Sequence, residues 1–141
     1  MIELEIRTRA HSELVDLTAQ VQKVVAESGI QEGICHIFAP HTTAGLTLNE
    51  NWDPTVRDDL VQALEAMAPE IPYRHTEGNS PSHLKATLVG THATLFVNRG
   101  RLVLGSWQGI FLAEFDGPRH RQVLIKVVPD PEGTWLHGKA G

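Results

Sequence analysis

The stretch RLVLGSWQGIFLAEFDGPRHRQVLIKVV, residues 101–128, decides the fold class. β-Branched and aromatic residues dominate it, and Asp116-Gly117-Pro118-Arg119 has the composition of a turn. Preceded by ATLFVN (93–98) and the turn Asn98-Arg99-Gly100, it reads as strands joined in hairpin fashion rather than as βαβ units. The segment 101–116 is long for one strand, so a break is expected near Gly105 or Gly109. The class predicted is α+β: one compact domain in which a mixed, largely antiparallel sheet packs with helices.

Working outward, IELEIRT (2–8) alternates apolar and polar residues with period two, the pattern of a strand with one buried face. DLTAQVQKVVAESG (16–29) changes the period: Leu17, Val21, Val24 and Val25 share a helical face, with Asp16 placed to cap and Gly29 to stop the helix. GICHIFA (33–39) reads as a strand ended by Pro40, and Leu46 and Leu48 mark another strand in HTTAGLTLNE (41–50). A second helix opens with Asp53 as cap and Pro54 at its first position, carrying Val56, Leu60, Leu64 and Met67 on one face. SPSHLKATLVG (80–90) has the Ser-Pro start and Gly stop of a short third helix with His83 in its first turn. There is no repeat and no linker, so residues 1–141 are expected to form one domain, with the Gly/Pro-rich tail 129–141 irregular and Trp135 and Leu136 available to pin it.

Composition narrows the function classes. Hydrophobic residues are 41% and charged residues 21% of 141, which describes an ordinary globular chain. Acidic residues number 17 against 12 basic ones with no Lys/Arg run, so no nucleic-acid partner is expected, although a local anion pocket is compatible with this balance. Met1 is followed by an alternating segment, not by the pattern of a signal peptide, and no apolar run reaches the roughly 18–20 residues of a membrane span. One cysteine, Cys35, excludes an intrachain disulfide; between Ile34 and Ile37 it reads as a small buried hydrophobe. The expectation is a cytoplasmic protein without a membrane partner.

Polar residues gather at three element ends, where a rigid scaffold presents side chains to ligands. APHTTAGLTLNENWD (39–53) offers His41, Thr42, Thr43, Asn49, Glu50 and Asp53; RHTEGNSPSH (74–83) offers His75, Asn79 and His83; the stretch 105–121 offers Trp107, Gln108, Glu114, Asp116 and Arg119. Imidazoles suit zinc and similar metals, and three protein ligands with one open position is the geometry of a catalytic metal. His41, His75 and His83 are the first choice for such a trio; the bland alternative is loop histidines bonded to backbone or titrating in solvent. His11, His120 and His137 are expected to be exposed, and His36 and His92 to pack in strands or lie on the surface. Glu50 and Asp53 suit a general base, a partner of a metal-bound histidine or a further ligand, although Asp53 also caps a helix and Glu50 follows a strand end where an exposed carboxylate is common. The turn at 116–119 needs no arginine, so Arg119 offers a planar fork for phosphate or carboxylate. Trp107 and Phe111 read as core.

Taken in order, HTTAGLTLNENWDP, H…GN…SHLKATLVG and G…LGSWQGIFLAEFDGPR give the chain its resemblance to the YjbQ-type proteins, the family known as secondary thiamine-phosphate synthases. The resemblance runs from about Ile2 to Val128. Departures are GSWQ where GTWQ is usual, His92 where Ser is usual and Phe96 where Pro is usual, all in strands. It implies a homotrimeric α+β domain with a histidine pocket that takes a divalent metal, zinc foremost, or a small anion. Positions carried over are His41, Asn49, Glu50, Asp53, His75, Asn79, His83, Gln108, Glu114, Asp116 and Arg119. In that set His41, His75 and His83 are expected to hold the metal, Glu50, Asp53 and Arg119 to act in catalysis, and Asn49, Asn79, Gln108 and Arg119 to bind a small phosphorylated substrate. The implied reaction joins hydroxymethylpyrimidine diphosphate to thiazole phosphate with loss of pyrophosphate. The chain lacks a Gly-rich phosphate loop and an Asp-rich magnesium motif, so two alternatives stand beside it: a metal-dependent hydrolase whose water Glu50 activates, and a non-enzymatic anion-binding module.

Overall fold

A computed structural model describes residues 1–132. The elements run β1 (Ile2–Arg7), β2 (Glu13–Asp16), α1 (Thr18–Ser28), β3 (Glu32–Phe38), β4 (Ala44–Glu50), α2 (Pro54–Met67), α3 (Ser80–Val89), β5 (His92–Asn98), β6 (Arg101–Leu102), β7 (Gln108–Glu114) and β8 (His120–Pro129). The α+β class holds. The expected pinning residues Trp135 and Leu136, like His137, lie outside the described residues.

There are two antiparallel sheets rather than one, a five-stranded sheet in the order β1-β8-β3-β5-β6 and a three-stranded sheet in the order β2-β7-β4. Only the first closing hairpin forms as expected: β5 and β6 pair across Arg99 and Gly100, whose φ values of 53° and 76° are those of a two-residue primed turn. The long segment does break, between β6 and β7. The turn at 116–119, however, carries the chain from one sheet to the other, so β7 pairs with β2 and β4 while β8 pairs with β1 and β3. Turn composition marks a reversal but does not say which neighbour the next strand finds.

Strand β7 explains the layering. Ile110 and Leu112 face one core with Val21 and Val25 of α1, Ile37 of β3 and Val123 and Ile125 of β8. Phe111, Ala113 and Phe115 face a second core with Leu60, Val61 and Leu64 of α2 and Ala86 and Val89 of α3. The three-stranded sheet is thus covered on both sides, which is why β7 reads as a continuous apolar run. Strand β2 was not anticipated, because four residues are too short to show a period. It displaces the start of α1: the N-cap position falls to Leu17, while Asp16 Oδ1 still accepts from the Thr18 N–H at 2.9 Å. Gly29 stops the helix at φ 73°, and Asp53 and Pro54 open α2 as expected. Cys35 is fully buried, and burial pushes its thiol up to about 11, which leaves it an inert core residue.

Candidate functional site

A cavity of about 430 Å³ opens where the end of β7, the start of α3 and the 39–43 loop meet, and His41, His75 and His83 all line it. His41 reaches it through a gap in the five-stranded sheet. The β3–β8 register pairs Phe38 with Leu124, so two residues further Pro40 would face Gln122, and proline has no N–H to give. The His41 ring takes that place: its Nε2 lies 2.9 Å from the Gln122 nitrogen and 3.1 Å from the Gln122 oxygen. Burial first, and the Arg121 guanidinium second, push the His41 pKa below its ordinary value against an opposing backbone bond from Gln122. The folded state therefore favours the neutral ring. Its contribution to stability is present above the ordinary histidine value and is lost as pH falls through the lower folded one.

The start of α3 is bolted to the end of β7. Ser82 Oγ donates to the Phe115 carbonyl at 2.6 Å, and Asn79 Nδ2 donates to Asp116 Oδ2 at 2.9 Å. Asn79 is the N-cap residue but its side chain caps nothing; its carbonyl accepts instead from the Ser82 and His83 N–H groups. The glycine of this loop, Gly78, sits at φ 75°, a conformation that a side chain disfavours, and so turns the chain from His75 back toward the helix. The His75 and His83 rings consequently meet edge to face, centroids 5.6 Å apart. Arg119 closes this side, with Nη2 on Asp116 Oδ2 at 2.9 Å and Nε on the Asp116 carbonyl at 2.7 Å. Burial works against the Asp116 carboxylate, yet the Asn79 amide and Arg119 hold it below the usual range.

Beneath lies a buried polar network. Arg121 is 5% exposed and Glu114 is fully buried. Arg121 Nε donates to Glu114 Oε2 at 2.8 Å, and Nη2 donates to Glu114 Oε1 and to Thr43 Oγ1, the latter at 2.8 Å. Glu114 also accepts from the Phe115 and Asp116 N–H groups and from the Thr8 hydroxyl. Burial alone would raise this carboxyl, but Arg121 and those further donors hold it below its usual value.

The family model described as UPF0047 protein YjbQ-like matches residues 2–130. The chain belongs to this family. It is 44% identical over 131 residues to a UPF0047 protein of Methanocaldococcus jannaschii, covering 92% of this chain and 95% of the relative. To the UPF0047 protein YugU of Bacillus subtilis it is 44% identical over 128 residues, at 89% and 96% coverage. Among solved structures, a YjbQ/UPF0047 protein of Clostridium acetobutylicum is similar with a TM-score of 0.88 at 44% identity, over 91% of this chain and 100% of that one. A YbjQ-like protein of unknown function from Sulfolobus solfataricus gives 0.86 at 35% identity, over 92% and 96%.

Not every expected residue of this YjbQ-like chain reaches the cavity. His41, His75, His83, Asn79, Asp116 and Arg119 do. Asn49, Glu50 and Gln108 do not, because Glu50 pairs with Gln108 at one end of the β4–β7 ladder whereas the cavity lies by the Ala44–Glu114 pair at the other. Six residue steps of roughly 3.3 Å separate those ends, about 20 Å. Within one chain Glu50 is therefore not placed to act on a ligand in the histidine cavity. Asp53 caps α2, accepting from the Thr55 N–H at 2.9 Å and its hydroxyl at 2.7 Å. Trp107, expected in the core, is 57% exposed and meets the exposed Trp52 edge to face at 5.8 Å. Phe111 is core as expected. His11, His36, His92 and His120 are all exposed.

Arg121 is the residue that reading the sequence missed. The signal was present, since in RQVLIKVV it occupies the same alternate positions as the buried Val123 and Ile125, where a charge is out of place.

As placed, the YjbQ-like histidines do not form a ready metal centre: among the described residues no three His, Cys, Asp or Glu groups are arranged to hold a metal ion. Only two imidazoles stack, and the Nε2 of the third is committed to Gln122. A larger cavity of about 1050 Å³, beside the end of α2, carries Glu65, Glu70 and Tyr73 but no histidine or arginine. Polar donors suited to an oxyanion gather in the smaller one.

Proposed function

We propose that this cytoplasmic chain binds the phosphoryl groups of a small substrate in the histidine cavity and joins hydroxymethylpyrimidine diphosphate to thiazole phosphate with release of pyrophosphate. The pairing of substrates rests on the motif resemblance. The observation that carries the phosphoryl half is the convergence of three imidazoles, Arg119 and Arg121 on one cavity of suitable size. In the reaction the thiazole nitrogen forms a C–N bond to the pyrimidine methylene while the C–O bond to the diphosphate breaks, its electron pair leaving on oxygen. The chain's part is to place N–H donors where that negative charge gathers. A divalent cation enters this reading with the diphosphate, whose oxygens supply ligands that the chain does not. No step requires a resident zinc.

The hydrolase alternative needs Glu50 brought to the cavity by a neighbouring chain, since within one chain it lies at the other end of the β4–β7 ladder, whereas the anion-binding module needs only the cavity. Purified protein from a host without its dedicated synthase is expected to form thiamine phosphate, followed by mass spectrometry. His83→Ala should lower the rate by about 100-fold or more, the usual weight of one hydrogen-bond donor aimed at developing negative charge. No product from a wild-type protein that binds pyrophosphate would assign the module instead. A homotrimer belongs to the same proposal. It is supported by Phe38, Phe96, Val103 and Val128, exposed at 39–67% on the outer face of the five-stranded sheet. Light scattering of that preparation should return the mass of three chains; a monomer would remove this part of the reading.

A further inference from the structure

The guanidinium named by the sequence motif is half exposed. Arg119 uses Nε and Nη2 on Asp116 and its side chain is 50% exposed, so a ligand there competes with a carboxylate and with water. Arg121 uses the same two nitrogens but differs in exposure. Its side chain is 5% exposed, and Glu114 and Thr43 fix it through Nε and Nη2. Its Nη1 makes no hydrogen bond among the described residues. The buried side-chain atoms without a partner there are Arg57 Nε and Asn79 Oδ1 alone, so Arg121 Nη1 is not sealed in. Arg121 itself lines the cavity.

Resting on the phosphoryl reading above, we infer that Arg121 is the anchor of the anion site, presenting Nη1 from a frame built by Glu114, Thr43 and Thr8. A structural ion pair between β7 and β8 would need only one edge of the guanidinium, the edge facing Glu114. Here the fork is held by two carboxylate oxygens and a hydroxyl, which fixes the plane and the direction of the free nitrogen before any ligand arrives. A donor so fixed loses little side-chain entropy on binding, and the low exposure strengthens its bond to an oxyanion. Each arginine is balanced by a carboxylate, Arg121 by Glu114 and Arg119 by Asp116, so the cavity is not a strongly positive patch. Recognition then depends on directed N–H groups, which suits a tetrahedral phosphoryl group better than a diffuse anion.

Inorganic pyrophosphate is the probe, titrated by calorimetry into wild type, into Arg119→Gln and into the double variant Arg121→Gln with Glu114→Gln, which removes the ion pair without stranding a buried charge. The double variant is expected to bind at least about tenfold more weakly, the weight of one or two charge-assisted hydrogen bonds, and Arg119→Gln to lose distinctly less. A folded double variant with wild-type affinity overturns the inference and leaves the anion cavity standing. A wild type that binds no pyrophosphate overturns both. Should the double variant fail to fold, the same titration of the wild type followed at its guanidinium N–H signals by NMR decides: Arg121 must move more than Arg119, and a still Arg121 sinks the inference.

Discussion

Glu114→Ala should lower the free energy of unfolding by about 3–5 kcal/mol, the cost of removing one partner of a buried, hydrogen-bonded ion pair. The carboxylate takes donors from Arg121, from Thr8 and from the Phe115 and Asp116 N–H groups; without it Arg121 Nε and the Asp116 N–H lose their partner, while the Thr8 hydroxyl and the Phe115 N–H keep the Arg119 and Thr43 carbonyls. The effect has a pH signature. Because the folded state holds the Glu114 pKa below its ordinary value, its stabilisation is complete above that ordinary value and is lost as pH falls through the lower folded one. Urea unfolding of wild type and variant should therefore differ most near neutral pH and converge in acid. A constant difference across that range would mean that Glu114 contributes by packing rather than by charge.

Phe111→Ala should cost about 3–5 kcal/mol as well, by a different mechanism. Its ring is fully buried on the central strand β7, against the α2 and α3 side, and the Arg57 guanidinium lies 5.0 Å from its centroid. Helix α2 has no fully buried residue of its own and depends on Leu60, Val61 and Leu64 touching this second core. Truncation leaves a cavity under that contact, so a lower urea midpoint should come with faster hydrogen exchange in α2 than in β3. Equal acceleration in both would show global unfolding alone and remove the argument that Phe111 is what seats α2.

The elements most legible in the sequence were those with local chemistry. Asp53-Pro54 at the start of α2, Gly29 at the end of α1 and Asn98-Arg99-Gly100 between β5 and β6 each act over three or four residues, and each was placed from the sequence. Pairing is a long-range property. Nothing local to residues 116–119 states that β8 crosses to β1 and β3, so the second sheet and the short β2 were hidden. The candidate site divides along the same line. His75, Asn79 and His83 share one loop and helix start, and Ser82 fastens that start to Phe115. Glu50 and Gln108 belong to the same motifs, but strand direction sends them to the opposite end of the ladder. Arg121 was visible only as a charge at an inward position of an alternating strand, a signal that gains meaning once Glu114 is known to be its partner.

The central claim is that a phosphoryl anion sits between Arg121 and His83. A crystal structure of the protein grown with inorganic pyrophosphate tests it most directly. The account predicts tetrahedral density within hydrogen-bonding distance of Arg121 Nη1 and of His83, with Glu114 still holding the far edge of the guanidinium. Density confined to the larger cavity at the end of α2, or none at a saturating concentration, would contradict it.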